Sequence, residues 1–186
     1  MSVGSLLRST YLLYFSQPAA DRAVFKAVTA RKVRSIVEIG IGVGGRTQRL
    51  LEVAAWRRDC LPLRYTGIDL FEARPSHAPG VSLKQAFAQL RLPNVKVQLV
   101  PGDPYSALRR VANALTGTDL LLIAGDQDPE SLARAWTWLP RMLTPESLVF
   151  HEQPAAKPGQ CCWRPLNIEE IQQRASNASR ALRRAA

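Results

Sequence analysis

Long hydrophobic runs are missing from this chain of 186 residues. No stretch reaches the roughly 18 apolar residues that a membrane-crossing helix needs, so no transmembrane span is expected. Cysteine is sparse: Cys60, Cys161 and Cys162 make an odd count with one adjacent pair. That is no disulfide framework, and no C-x-x-C pair offers a zinc site. A reducing, cytoplasmic setting is the expectation, with Cys161 and Cys162 on opposite faces of a strand. Acidic residues are in the minority, 15 against 25 basic ones, giving a net charge of +10 and a pI near 10.3. Such a balance permits nucleic acid, acidic lipid or an acidic protein as a partner and selects none of them. The basic residues do not gather into an arm. Arg31, Lys32 and Arg34, then Arg57 and Arg58, then Arg183 and Arg184 are scattered, and solvated faces are the plain reading. No nucleic-acid recognition motif accompanies them. The N-terminal apolar segment is interrupted by Arg8 and lacks a small-residue cleavage site, so no signal peptide is expected. Residues 1–18 read as an amphipathic segment that packs on the domain or on a second subunit, with a membrane-surface helix as the alternative.

What is present is concentrated in residues 35–47, Ser-Ile-Val-Glu-Ile-Gly-Ile-Gly-Val-Gly-Gly-Arg-Thr. β-Branched residues predict a buried strand, glycines break it, and a helix follows. Glycine lets the backbone turn sharply and lets a ligand approach closely. The helix start after such a turn offers free N–H groups to a polar ligand. Gly40, Gly42 and Gly45 satisfy G-x-G-x-x-G, by itself a weak dinucleotide signal. Gly40, Gly42 and Gly44 satisfy G-x-G-x-G equally well. Glu38 separates the two patterns. A carboxylate inside an apolar strand is costly unless it finds a partner, and beside a pyrophosphate it would repel like charge. An internal lysine or arginine is the structural alternative for that partner.

Residues 37–44 resemble motif I of class I S-adenosylmethionine (SAM) methyltransferases. SAM carries no phosphate, and its sulfonium and ammonium groups are cationic. The resemblance implies that Glu38 helps hold the methionine end of SAM, beside Gly40, Gly42 and Gly44.

The remaining periodicities predict helices over 19–32, 45–57, 81–92, 104–115 and 129–142, alternating with strands over 63–70, 95–100, 119–124 and 147–151. The continuous run Asp119-Leu-Leu-Leu-Ile-Ala124 suits a central parallel strand covered on both faces. This alternation implies an α/β, doubly wound, mostly parallel sheet of the Rossmann-like type. Residues 19–152 form the expected cofactor-binding domain. Residues 153–186 add a Pro/Gly loop, a short strand over 160–166, and an amphipathic helix that Asn167 and Glu170 open as a capping box. Two further antiparallel strands do not fit, so the sheet is expected to be truncated at its C-terminal edge, covered by the last helix or a dimer partner.

Asp69 ends the second strand, where an acidic residue accepts from ribose hydroxyls in doubly wound folds. Gly102 and Asp103 follow the third strand; the resemblance implies contact with the adenine, and Asp103 is also a good helix N-cap. Residues 119–128, then Leu-Pro-Arg-Met-Leu-Thr-Pro and Val-Phe-His-Glu, are similar to small methyltransferases of the cephalosporin-hydroxylase-like and catechol types. Asp126 and His151 match that pattern. Ala124 stands where metal-using relatives carry a carboxylate, so no catalytic metal is expected. Methyl transfer needs chiefly proximity, and His151 has the pKa of a base for an acceptor hydroxyl or amine, with Asp126 orienting it. The alternative is that both are helix or strand caps. His77 has no assigned role.

The leading expectation is a SAM-dependent methyltransferase acting on a small molecule. The rivals are a SAM-fold binding or scaffold module without catalysis, and an NAD-type oxidoreductase, which Glu38 disfavours.

Overall fold

The computed structural model describes residues 3–56, 62–156 and 160–185. The Arg57–Arg58 pair and Cys60 lie outside them. Sixteen segments alternate much as the periodicities require. Helices α1 (Val3–Tyr14) and α2 (Asp21–Ala30) precede β1 (Ser35–Ile39), α3 (Gly45–Trp56) and β2 (Leu63–Asp69). A 3-10 turn (Phe71–Ala73), α4 (Leu83–Leu90), β3 (Val95–Pro101), α5 (Pro104–Val111) and β4 (Thr118–Ile123) follow. The chain ends with α6 (Pro129–Ala135), β5 (Leu143–Pro154), β6 (Cys161–Leu166) and α7 (Ile168–Ala185).

The strands form one sheet in the order β3-β2-β1-β4-β5-β6, with β6 antiparallel to β5 and the rest parallel. Every residue of β1 is buried, as a strand covered on both faces must be. Leu12, Phe25, Leu50, Leu51 and Tyr65 pack on one face of the sheet. Val37, Ile39, Leu108, Leu121, Trp136, Met142 and Ile171 pack on the other. The result is a three-layer α/β/α sandwich.

The fold corrects several expected boundaries. The predicted helix over 129–142 stops at Ala135 and continues as 3-10 helix to Arg141, which contains Pro140; a proline lacks the N–H that an α-helix needs there. The fifth strand runs over Leu143–Pro154, beyond the expected 147–151. The added length gives β6 a partner across Val149–Pro154, and β6 is the single short strand expected over 160–166, antiparallel to β5. Ser82 caps α4 in a full capping box with Gln85, and Asn167 accepts from the Glu170 N–H at the start of α7. Helix α1 packs on α2 and α3 and puts Leu12 into the core, 2% exposed. No helix among the described residues is long and apolar enough to cross a membrane.

Candidate functional site

β1 pairs with β2 on one side and β4 on the other. Strand order reverses at that point, which opens a crevice at the carboxyl ends. The glycine turn fills its floor. Gly40, Gly42 and Gly44 have φ of 90°, 62° and 78°. At Gly40 a Cβ would also collide with the Gln127 side chain and with Ala124, so the turn can sit against β4 only without one. A cleft of about 300 Å³ remains above it, lined by the turn, Arg46, Pro79, Ala124, Asp126 and Glu152. That is the lower end of the range for small-molecule pockets.

Glu38 is fully buried beneath the turn. Its Oε1 accepts from Arg46 Nε and Nη2 at 3.0 and 2.9 Å, and its Oε2 from Thr47 Oγ1 and Tyr65 OH at 2.7 and 2.8 Å. The internal arginine partner is the arrangement found. Arg46 also donates to the Gly40 carbonyl, lies 3.6 Å from Glu152 and stacks over Trp163. Burial alone would depress the Arg46 guanidinium, but the adjacent Glu38 charge outweighs it and raises its pKa. Burial, with Glu38 adding to it, pushes the Tyr65 phenol well above its usual range.

Asp69 stands at the end of β2, as expected, and holds the turn from the other side. Its Oδ2 accepts from the Ile41 and Gly42 N–H at 2.7 and 2.9 Å, its Oδ1 from the Phe71 N–H at 3.2 Å. Arg74 Nη2 reaches both oxygens, at 2.6 and 2.5 Å. Burial would raise this carboxyl, but these bonds, led by Arg74, lower its pKa. Gly102 and Asp103 follow β3, and the Gly102 N–H bonds the Asp69 carbonyl. The Asp103 carboxylate is committed to helix ends: it accepts from the Tyr105 and Ser106 N–H and from the hydroxyls of Ser106 and Ser131. Burial opposes ionisation there, and the serine and backbone donors prevail, lowering the pKa to about 2.

Beyond β4, Asp126 is exposed at the cleft rim, accepting from Gln127 Nε2 at 2.7 Å and from Arg74 Nη1 at 3.2 Å. Asp128 caps α6. His151 takes a different position from the one expected. It shares a face with Arg164, its antiparallel partner, and sets its ring edge-on to Trp136 at 6.2 Å. Val149 and Ile123 on that face pack under α5–α7, so the imidazole lies on the opposite side of the sheet from the glycine turn. Burial, then Arg174 and Arg164, lowers its pKa. The next residue, Glu152, faces the cleft instead and accepts from the Gly125 N–H. Asp126 and Glu152 are therefore the acids brought together at the rim. Sequence reasoning passed over Arg46, Thr47, Tyr65 and Arg74. The available signal was chemical: two carboxylates expected in buried positions required donors nearby. Among the described residues, no three His, Cys, Asp or Glu side chains converge as a metal-ligand set.

No protein-family model and no curated protein sequence matches the chain. Its fold is similar to that of solved SAM-dependent methyltransferases. An O-methyltransferase from Bacillus cereus, solved with S-adenosylhomocysteine (SAH), is 14% identical, with a TM-score of 0.54 over 95% of this chain and 79% of its own. A TehB-like SAM-dependent methyltransferase from Corynebacterium glutamicum is 17% identical, with a TM-score of 0.50 over 94% and 80%. The MycE methyltransferase of mycinamycin biosynthesis is 19% identical at a TM-score of 0.45, and this chain spans 36% of its length. The likeness is one of fold: the six-stranded sheet with its antiparallel last strand is of the Rossmann-like methyltransferase type.

Proposed function

We propose that the chain binds SAM in the cleft above the Gly40–Gly44 turn and methylates a small-molecule acceptor without a metal ion. The observation that carries this is the cleft's shape at the glycine turn. Its rim holds two acids, Asp126 and Glu152, each set beside an arginine, Arg74 and Arg46. A Cβ on Gly42 would meet nothing within 4 Å, so the turn leaves open space against the backbone for a ligand.

Bound SAM would supply the methyl group from its cationic sulfur and leave as SAH with the electron pair of the broken C–S bond. The turn, through Gly40, Gly42 and Gly44, lines the methionine end. Glu38 acts there through Arg46, whose guanidinium it fixes at the floor. Asp69 offers its carboxylate to ribose hydroxyls, and Gly102 with Asp103 borders the adenine end. Asp126 or Glu152 is the group placed to take the proton of an acceptor hydroxyl or amine. Proximity supplies most of the rate.

Calorimetric titration with SAM, SAH and NADH tests the assignment. Micromolar binding of the first two with none of the third is the expected result. Gly42→Ala fills the open space and should weaken SAH binding tenfold or more while costing about 1 kcal/mol of stability for the left-handed φ. Equal SAH affinity in wild type and variant, or preference for NADH, would remove the cleft assignment.

A further inference from the structure

We propose that Arg74 is a latch that closes the cleft, and that ligand binding proceeds by exchange of its guanidinium for donor groups of the ligand at Asp69. The proposal rests on the SAM reading for the identity of that ligand, whose adjacent ribose hydroxyls are the replacing donors. Asp69 and Asp126 come from the ends of β2 and beyond β4, on opposite sides of the crevice, and one guanidinium spans them. The Asp69 carboxylate keeps three backbone donors without Arg74, so the arginine is not needed to hold the turn. Its placement is costly. Arg74 Nε is buried with no acceptor, and a buried donor left unpaired loses its hydration uncompensated.

The segment that carries Arg74 is built to move as one piece. Its stem lies against Gly80, where a Cβ would come 2.7 Å from Cδ and Nε, which ties residues 74–80 into a closed loop. Pro79 of that loop lines the cleft. At its root Phe71, a bulky buried residue, has φ of 49°, a strained conformation of the kind stored beside functional sites. Breaking the pair with Asp69 frees the loop, while Asp126 remains as a partner for the displaced guanidinium.

Arg74→Gln and Arg74→Ala in the full chain test the latch by two measurements. Without a competing cation at Asp69, SAH should bind about tenfold tighter in both variants, the order of one lost charge-assisted bond. Without ligand, backbone amide exchange over residues 74–80 should quicken in both. Affinity that stays the same or weakens in both variants would overturn the latch and make Arg74 a ligand contact or a bystander. Unchanged exchange would overturn it whatever the ligand. Quickened exchange with no SAH binding in any of the three proteins would uphold the latch and reject SAM as the molecule it admits.

Discussion

Glu38 is a structural hub beneath the glycine turn. Each of its oxygens receives two donors, from Arg46 on one side and from Thr47 and Tyr65 on the other. Truncating one partner of a buried pair leaves the other charged and dry, at a typical cost of about 3–5 kcal/mol. Glu38→Ala should therefore lower stability by that order in urea unfolding, and any loss of ligand binding would accompany loss of fold. A drop below about 1 kcal/mol would show that Arg46 finds new partners. Asp69→Asn should behave differently: its one amide oxygen can still accept from the Ile41 and Gly42 N–H groups, while its NH2 leaves the Phe71 N–H without an acceptor. Folding should survive and affinity for a ribose-bearing ligand should fall, as titration with SAH would measure.

Among the elements, α5 carries its own pH dependence. Its N-cap Asp103 has a folded pKa near 2 against an ordinary 3.8. A carboxyl depressed on folding stabilises above its unfolded pKa and loses that contribution as pH falls toward the folded value. Wild type should exceed Asp103→Ala in stability by a constant margin above about pH 4.5, and the gap should close toward about pH 2. A gap independent of pH in acid titration would contradict the cap. Helix α1 divides by face. Leu7, Tyr11 and Tyr14, with Phe15 just past its end, are 64%, 52%, 55% and 64% exposed, whereas Leu12 is buried. Leu12→Ala should cost about 2–5 kcal/mol, and the pair Tyr11→Ser and Phe15→Ser under about 0.5 kcal/mol each, both read from denaturant midpoints. Such positions were legible only in part. The period places α2, α3 and α7 because helix patterning is local, but 3.6-residue spacing says nothing about which stripe finds a neighbour. The same holds for β5, where alternation pairs His151 with Val149 and Glu152 with Phe150. Only the completed sheet tells which of the two sets faces the glycine turn.

For the molecule as a whole, the doubly wound order could be read ahead because each strand announces itself by apolar runs and each turn by glycine or proline. The direction of β6 could not, since pairing between distant segments leaves no local trace. Nor could the partners of Asp69, which depend on how the loop after β2 folds back, or those of Glu38, which come from α3 and β2. One distant contact has a temporal meaning. Trp163 on β6 donates to Asp21 on α2 at 3.1 Å across 142 positions of sequence, and its ring seats Arg46. A ribosome releases the glycine turn long before it releases this tryptophan. During synthesis, therefore, the cleft acquires its finished floor only once residue 163 has emerged, and a nascent chain halted before it would hold Arg46 by Glu38 and the Gly40 carbonyl without that ring.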